Sequence, residues 1–249
     1  MIFEKIDKLR DKLKTMRPLN EAELRRLRNE FMIDNTYNSN AIEGNSLTLR
    51  ETALVLEGVT IGEKPLKDHL EAIGHKDAFS FVFELAKQNA PLDESCIKQI
   101  HSLVMMNDRS ITGVYRSLPV RITGAVHTPP QPYLVPKQME QLISDYETLK
   151  KDKHIIEAIS EFHLRFEGIH PFLDGNGRTG RLVINLELIK AGFLPINIKF
   201  TDRRKYYECF DDYFGNKQTA GTLTNLILDY ETEELERYIS IIEDKEKLG

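Results

Sequence analysis

Residues 170–181 read HPFLDGNGRTGR, and this stretch decides how the rest of the chain is understood. Twelve positions hold an imidazole, a carboxylate, a Gly-Asn-Gly turn and two guanidiniums. His170 can act as a base near neutral pH. Asp174 is a hard oxygen ligand suited to Mg²⁺. Gly175-Asn176-Gly177 lets the backbone come close to phosphate oxygens, which a side chain at either glycine would hinder. A helix starting here adds free N–H groups and a dipole that favour an anion. Arg178 and Arg181 lie three apart on that helix, so both can fork onto one polyphosphate. Thr179 and Gly180 lie between them and belong to the same candidate nucleotide-binding run. A tight turn before a surface helix is the plain alternative, because Asp-Gly and Asn-Gly are common turn dipeptides. That alternative leaves the histidine and both arginines unexplained together.

Working outward, the stretch lies between two apolar helical patterns. Ahead of it, Ile155, Ile159, Phe162 and Phe166 share one face, and Gly168 is placed to end the helix. Behind it, about 177–190 is apolar nearly all round, as in a helix central to a core, with Gly192 and Pro195 as terminators. The remaining chain reads as further helices. Asn20 starts one that buries Leu24, Leu27 and Phe31. An asparagine-rich stretch of poor helix propensity follows, from Asn35 to Asn45. Thr48 with Glu51 makes a capping box for a helix through Leu56, stopped at Gly58. Residues 66–88 carry Leu70, Ile73, Phe81 and Leu85 at helical spacing. Asp93 caps a helix burying Ile97, Ile100 and Val104. Pro136 suits the first turn of a helix with Met139, Leu142, Ile143 and Tyr146 inside. Thr201 is a candidate cap, and 222–247 reads as one or two more helices. The one β candidate is 119–135, where β-branched residues flank Gly124 and Pro129-Pro130 ends the run.

The composition is that of a soluble globular chain: 249 residues, 41% hydrophobic and 29% charged. A net charge of −5 argues against general nucleic-acid binding, which shows a basic surplus. The start, MIFEKIDKLRDKL, is amphipathic with no apolar signal core, and no run reaches membrane-span length. Cys96 and Cys209 fall in apolar periodic stretches and read as buried free thiols, fitting a reducing compartment. These features together predict a cytoplasmic protein that binds neither nucleic acid nor membrane.

HPFLDGNGRTGR resembles the signature of the Fic family, H-x-F-x-(D/E)-G-N-G-R-x-x-R, at every defined position. Chance would produce it on the order of 10⁻¹⁰ per start position, so the match is specific. The resemblance implies a mainly helical Fic-type fold with a β-hairpin flap next to the active-site loop. It divides the chain into an N-terminal helical region (1–90), a catalytic core (91–230) and a C-terminal helix (231–249). It implies transfer of AMP from ATP to a Ser, Thr or Tyr hydroxyl of a target protein, with self-modification and a homodimer as further possibilities. On this reading His170 deprotonates the hydroxyl and Phe172 anchors the loop. Asp174 holds Mg²⁺ on the α- and β-phosphates, residues 175–177 form the anion hole, and both arginines hold the outer phosphates. The flap falls on Gly124, Ala125, Val126 and His127, within a region running from Gly113-Val114-Tyr115-Arg116 to His127-Thr128-Pro129-Pro130. An exposed strand edge there would take an extended target segment by main-chain hydrogen bonds. Tyr206 and Tyr207 sit where Fic proteins approach adenine and ribose, and core packing suits either ring equally well.

Ser39-Asn-Ala-Ile-Glu43-Gly44 resembles a second Fic pattern, the inhibitory motif (S/T)-x-x-x-E-(G/N). Alone it is weak, because about one chain in ten of this length matches by chance. Of the three Glu-Gly pairs, at 43, 57 and 167, only that at 43 has Ser or Thr four residues before it. Placed upstream of the signature, it resembles the class whose inhibitory helix precedes the Fic core, and it predicts a Glu43–Arg181 pair that misplaces ATP. Two other functions remain open: a hydrolase removing AMP with Glu43 orienting water, and a non-catalytic nucleotide-gated binding protein. His163 and Glu167, one turn apart, read as core rather than as metal ligands. Asn185 reaches either the nucleotide or only its own helix.

Overall fold

The computed structural model describes residues 2–16, 19–217 and 219–246. Among the described residues ten α-helices run in chain order: α1 (Ile2–Thr15), α2 (Glu21–Ile42), α3 (Leu49–Leu56), α4 (Leu66–Lys87), α5 (Glu94–Val104), α6 (Val135–Asp152), α7 (Ile155–Ile169), α8 (Asn176–Lys190), α9 (Arg203–Asp212) and α10 (Gly221–Glu246). Helix α8 runs through the centre, packed by α4, α5 and α7, and nearly all of its residues are buried. One apolar core extends from Ile6 to Leu235, and a small second cluster joins Leu47, Val55 and Ala72.

Local sequence accounts for several helix starts. Asn20 and Glu23 close a capping box on α2, and Thr48 and Glu51 close one on α3. Each such cap contributes about 1 kcal/mol. The side chain of Asp93 accepts from the N–H of Cys96 at the start of α5. Thr201 is not a cap: α9 starts after a short 3₁₀ turn, with Asp202 at its N-cap and no side-chain cap bond.

Three further expectations are corrected. The asparagine-rich stretch is helical, because α2 continues to Ile42. Asn35 is buried and donates to the carbonyl of Ile196, while Asn40 donates to that of Thr36, so tertiary partners outweigh weak propensity. On α4 the face turned inward is Asp68, Glu71, Ala72, His75, Phe79 and Val82, and Leu70, Ile73, Phe81 and Leu85 are only half-buried. Third, no strand occurs among the described residues, so the expected β-hairpin is absent. Residues 119–131 run as an irregular loop with a turn at 122–125, where Gly124 takes φ +82°. Pro119, Pro129 and Pro130 offer no N–H to a ladder, and β-branched residues form a strand only where a partner edge exists.

Candidate active site

The loop 170–175 joins α7 to α8, and its shape is set by groups around it. Helix α7 does not end at Gly168. That glycine stays helical because the Phe214 ring fills the space a Cβ would need. The helix ends instead at His170, which takes the left-handed conformation at φ +49°, a strained state for a residue with a Cβ. Arg116, 4% exposed, holds it there. Its guanidinium donates to the carbonyls of His170 (2.8 Å), Ile169 (3.3 Å), Leu118 (3.1 Å) and Pro130 (2.6 Å). The last two contacts draw together the ends of the 117–130 loop, so one side chain fixes both that loop and His170.

Phe172 is fully buried and stacks on His101, with ring centroids 3.7 Å apart. His101 accepts from the N–H of Gly113 at Nδ1 (2.9 Å), so its proton sits on Nε2, which donates to the carbonyl of Asp174 (2.9 Å). Asn176 clamps the loop from within: its side chain takes the N–H of Phe172 and gives to the carbonyl of Phe172, both at 2.9 Å. Gly175, at φ +78°, leads into α8 with no side-chain cap, so the first N–H groups of α8 lack a partner of that kind.

These elements enclose a cavity of about 390 Å³. Glu167 and His170 line it from α7, Gly177 and Arg181 from α8, and Tyr206, Tyr207, Phe210 and Asp211 from α9. Ile122, Thr123, Gly124, Ala125 and His127 cover it from the 117–130 loop, and Glu43 closes it from α2. His127 stacks on Phe214 at 3.8 Å. Burial pushes His170 down to about 4, so the imidazole is neutral at pH 7 and able to take a proton. Tyr206 is buried with its hydroxyl 2.7 Å from His163 Nε2, whereas Tyr207 is exposed and donates to the carbonyl of Ile42.

Glu43 stands at the C-terminus of α2, and Gly44 ends the helix at φ +93°. Its Oε1 lies 2.8 Å from Arg181 Nη2. The same guanidinium donates to Ser39 Oγ (3.1 Å) and to the Ser39 carbonyl (2.8 Å). All three acceptors come from one helical turn of α2. The carboxylate also lies over Gly177, where any Cβ would collide with it.

Other candidates fall elsewhere. Arg178 is 2% exposed and does not reach the cavity. It pairs with Glu71 (3.2 Å) and with Asp174 (3.3 Å), so it orients the carboxylate of Asp174. Asp174 is half-exposed and also accepts from the N–H of Gly175. Thr179 is fully buried, and Gly180 packs against Glu167 and His163. Val126 is 60% exposed and faces away from the cavity lining. Asn185 neither faces the cavity nor bonds within its helix: it brackets Ile196 through its N–H (2.8 Å) and carbonyl (3.1 Å). No group of three or more metal-holding side chains occurs among the described residues.

His101 and Glu71 are absent from the sequence reading of the site, and Arg116 enters it only as part of the expected flap region, with no role of its own. Glu71 carried a signal, since acidic and imidazole side chains at 68, 71 and 75 follow helical spacing along one face of α4. Arg116 and His101 carried none, as each acts on main-chain atoms distant in sequence. Lysine at 116 reaches fewer of the four carbonyls, and each left unpaired costs about 1–3 kcal/mol. Arg116→Lys is therefore expected to lower the thermal midpoint and to cut turnover more than it weakens ligand affinity, measured by calorimetry and steady-state kinetics.

Comparison with known proteins agrees with this geometry. The Fic/DOC family profile matches residues 91–188. A protein adenylyltransferase Fic from Nematostella vectensis is 37% identical over 214 residues, 83% of this chain and 49% of the relative. A Fic-domain-containing signalling protein from Bacteroides thetaiotaomicron superposes with a TM-score of 0.86 at 28% identity, over 96% of this chain and 97% of the other. Fic-1 from C. elegans superposes with a TM-score of 0.84 at 26% identity, over 98% and 72%. The chain spans about half the length of the curated relatives it matches.

Proposed function

Since residues 91–188 form a Fic/DOC domain, we propose that the protein is an adenylyltransferase that moves AMP from ATP to a hydroxyl side chain of a target protein. The observation that carries this reading is the cavity that joins neutral His170 to Arg181 at the N-terminus of α8. The target hydroxyl oxygen attacks the α-phosphorus while His170 takes its proton. The bond from the α-phosphorus to the bridging oxygen breaks, and pyrophosphate leaves. The α8 N-terminus accepts the charge on the phosphates, and Arg181 takes the outer phosphate once freed. The 117–130 loop acts as the flap and presents the target. Asp174, fixed by Arg178 and half-exposed, suits Mg²⁺, which keeps few protein ligands and completes its shell with phosphate oxygens. The ion would neutralise charge on the phosphates. The buried thiols Cys96 and Cys209 suit a reducing compartment.

In the resting protein Glu43 occupies Arg181, so ATP seats with its α-phosphate out of line. A second reading has one supporting observation: Glu43 lies over Gly177, at the phosphate end of the cavity. There it can orient a water that removes AMP from a modified target. Label from α-labelled ATP, but not from γ-labelled ATP, is expected to enter protein. Transfer of γ-label would replace AMP transfer with phosphorylation.

A further inference from the structure

Glu167 lies one helical turn before His170 on α7 and lines the cavity, yet it is only 8% exposed. Its Oε1 has no hydrogen-bond partner. Its Oε2 stands 3.8 Å from His170 Nδ1, too far for a hydrogen bond. Of the neighbouring groups, Arg181 holds Ser39 and Glu43 through Nε and Nη2, and His163 Nε2 meets Tyr206, while Arg181 Nη1 and His163 Nδ1 make no hydrogen bond to Glu167. Room for the carboxyl is made by Gly180, where a Cβ would lie 2.7 Å from Glu167 Oε1 and 2.7 Å from His163 Cε1. A buried polar group is ordinarily satisfied within the fold. This one opens onto the space a ligand would fill.

We propose that Glu167 contacts the bound nucleotide, its carboxyl group donating a hydrogen bond to a ligand oxygen. The proposal rests on the nucleotide reading of the cavity. A polyphosphate beside an ionised Glu167 would be repelled, whereas a protonated carboxyl offers a donor. Burial, and after it the charge of Glu43, push Glu167 up to about 8, so it holds its proton at pH 7.

The charged and titratable groups around Glu167 are Glu43 from α2, His163 and His170 from α7, Arg181 from α8, and Tyr206 and Tyr207 from α9, with His127 and Asp211 lining the same cavity. The histidines are all held below their usual range by burial, His163 to about 3 and His170 to about 4. Burial holds Tyr206 well above its own usual value. Glu167 is thus the group that ionises between pH 7 and 9.5.

The test is calorimetric titration of ATP with Mg²⁺ into the Glu43→Gly protein and into Glu43→Gly/Glu167→Gln, from pH 7 to 9.5. Affinity of the first is expected to fall at least about tenfold over this range as the protonated fraction declines, from a midpoint below that of the protein carrying Glu43. The glutamine protein, whose amide keeps a donor, is expected to stay flat and to match the first within about threefold at pH 7. An equal fall in both, no fall in either, or loss of binding at pH 7 in a folded glutamine protein would overturn the role of Glu167. No binding by either protein at any pH would overturn the nucleotide reading, and this proposal with it. A carbon-detected titration of Glu43→Gly needs no change at 167. It should show a glutamate midpoint above the ordinary carboxylate range, held there by burial once the charge of Glu43 is gone, that moves up when ATP is added, and a midpoint unmoved by ATP would count against the role.

Discussion

Replacing Glu43 with glycine is expected to raise AMP transfer about a hundredfold, the size of effect that an ångström of misplacement at the reacting atoms can cause. The carboxylate stands 2.8 Å from Arg181 and is one-third exposed toward the cavity. It is a charge-assisted partner that occupies the guanidinium which, on the proposed function, takes the outer phosphate. Glycine removes the competitor and leaves Arg181 its two contacts to Ser39. The fold is expected to lose some stability, because Arg181, 6% exposed, is left without its carboxylate, a loss offset in part because an acidic side chain at a helix C-terminus opposes the dipole. Incorporation of α-label from ATP into protein in a cell extract measures the effect, with thermal unfolding as the control. Equal labelling by the wild-type and Glu43→Gly proteins would remove the brake from the account.

His170→Ala in the same background is expected to lower turnover by 10²–10⁴, the range for loss of a positioned general base. Nucleotide affinity should change far less, because Arg181 and the start of α8 remain. The pH profile gives a second check. Burial places His170 near 4 rather than 6.5, so the base stays unprotonated from pH 7 down to about 5. Activity should therefore fall only as pH approaches 4. An acid limb at 6 to 7 would mean that the ring is solvated during turnover, or that another group is the base.

Legibility in the sequence follows the range of the interactions involved. Capping boxes at Asn20 and Thr48, the apolar pattern of α8 and the left-handed glycines at 44, 58 and 192 are written within a few residues, and all can be read there. The pairing of Glu43 with Arg181 was readable only through its resemblance to a known motif, since 138 residues separate the two. The face of α4 was misread because its inward stripe carries polar side chains, among them Glu71, which pairs with Arg178 and Asn45, and the buried His75. The hairpin was overestimated because β-branched residues say nothing about whether a partner edge exists.

The sequence by itself determined the chemistry available in this protein. A candidate base, a hard carboxylate and an anion-binding turn are set by residue type and short spacing, whereas the competing glutamate was legible only through its resemblance to a known motif. The tertiary structure alone decided which of these groups meet. Arg181 reaches the cavity, while Arg178 turns inward to Glu71 and Asp174. Asn176 spends its side chain on the backbone of Phe172. The strained His170 is held by Arg116 from a loop more than fifty residues away. The outcomes for Arg178 and His170 depend on where the fold places a partner distant in sequence, Glu71 on α4 or Arg116 on its loop, for a polar group that cannot be buried alone, and local sequence does not carry that information.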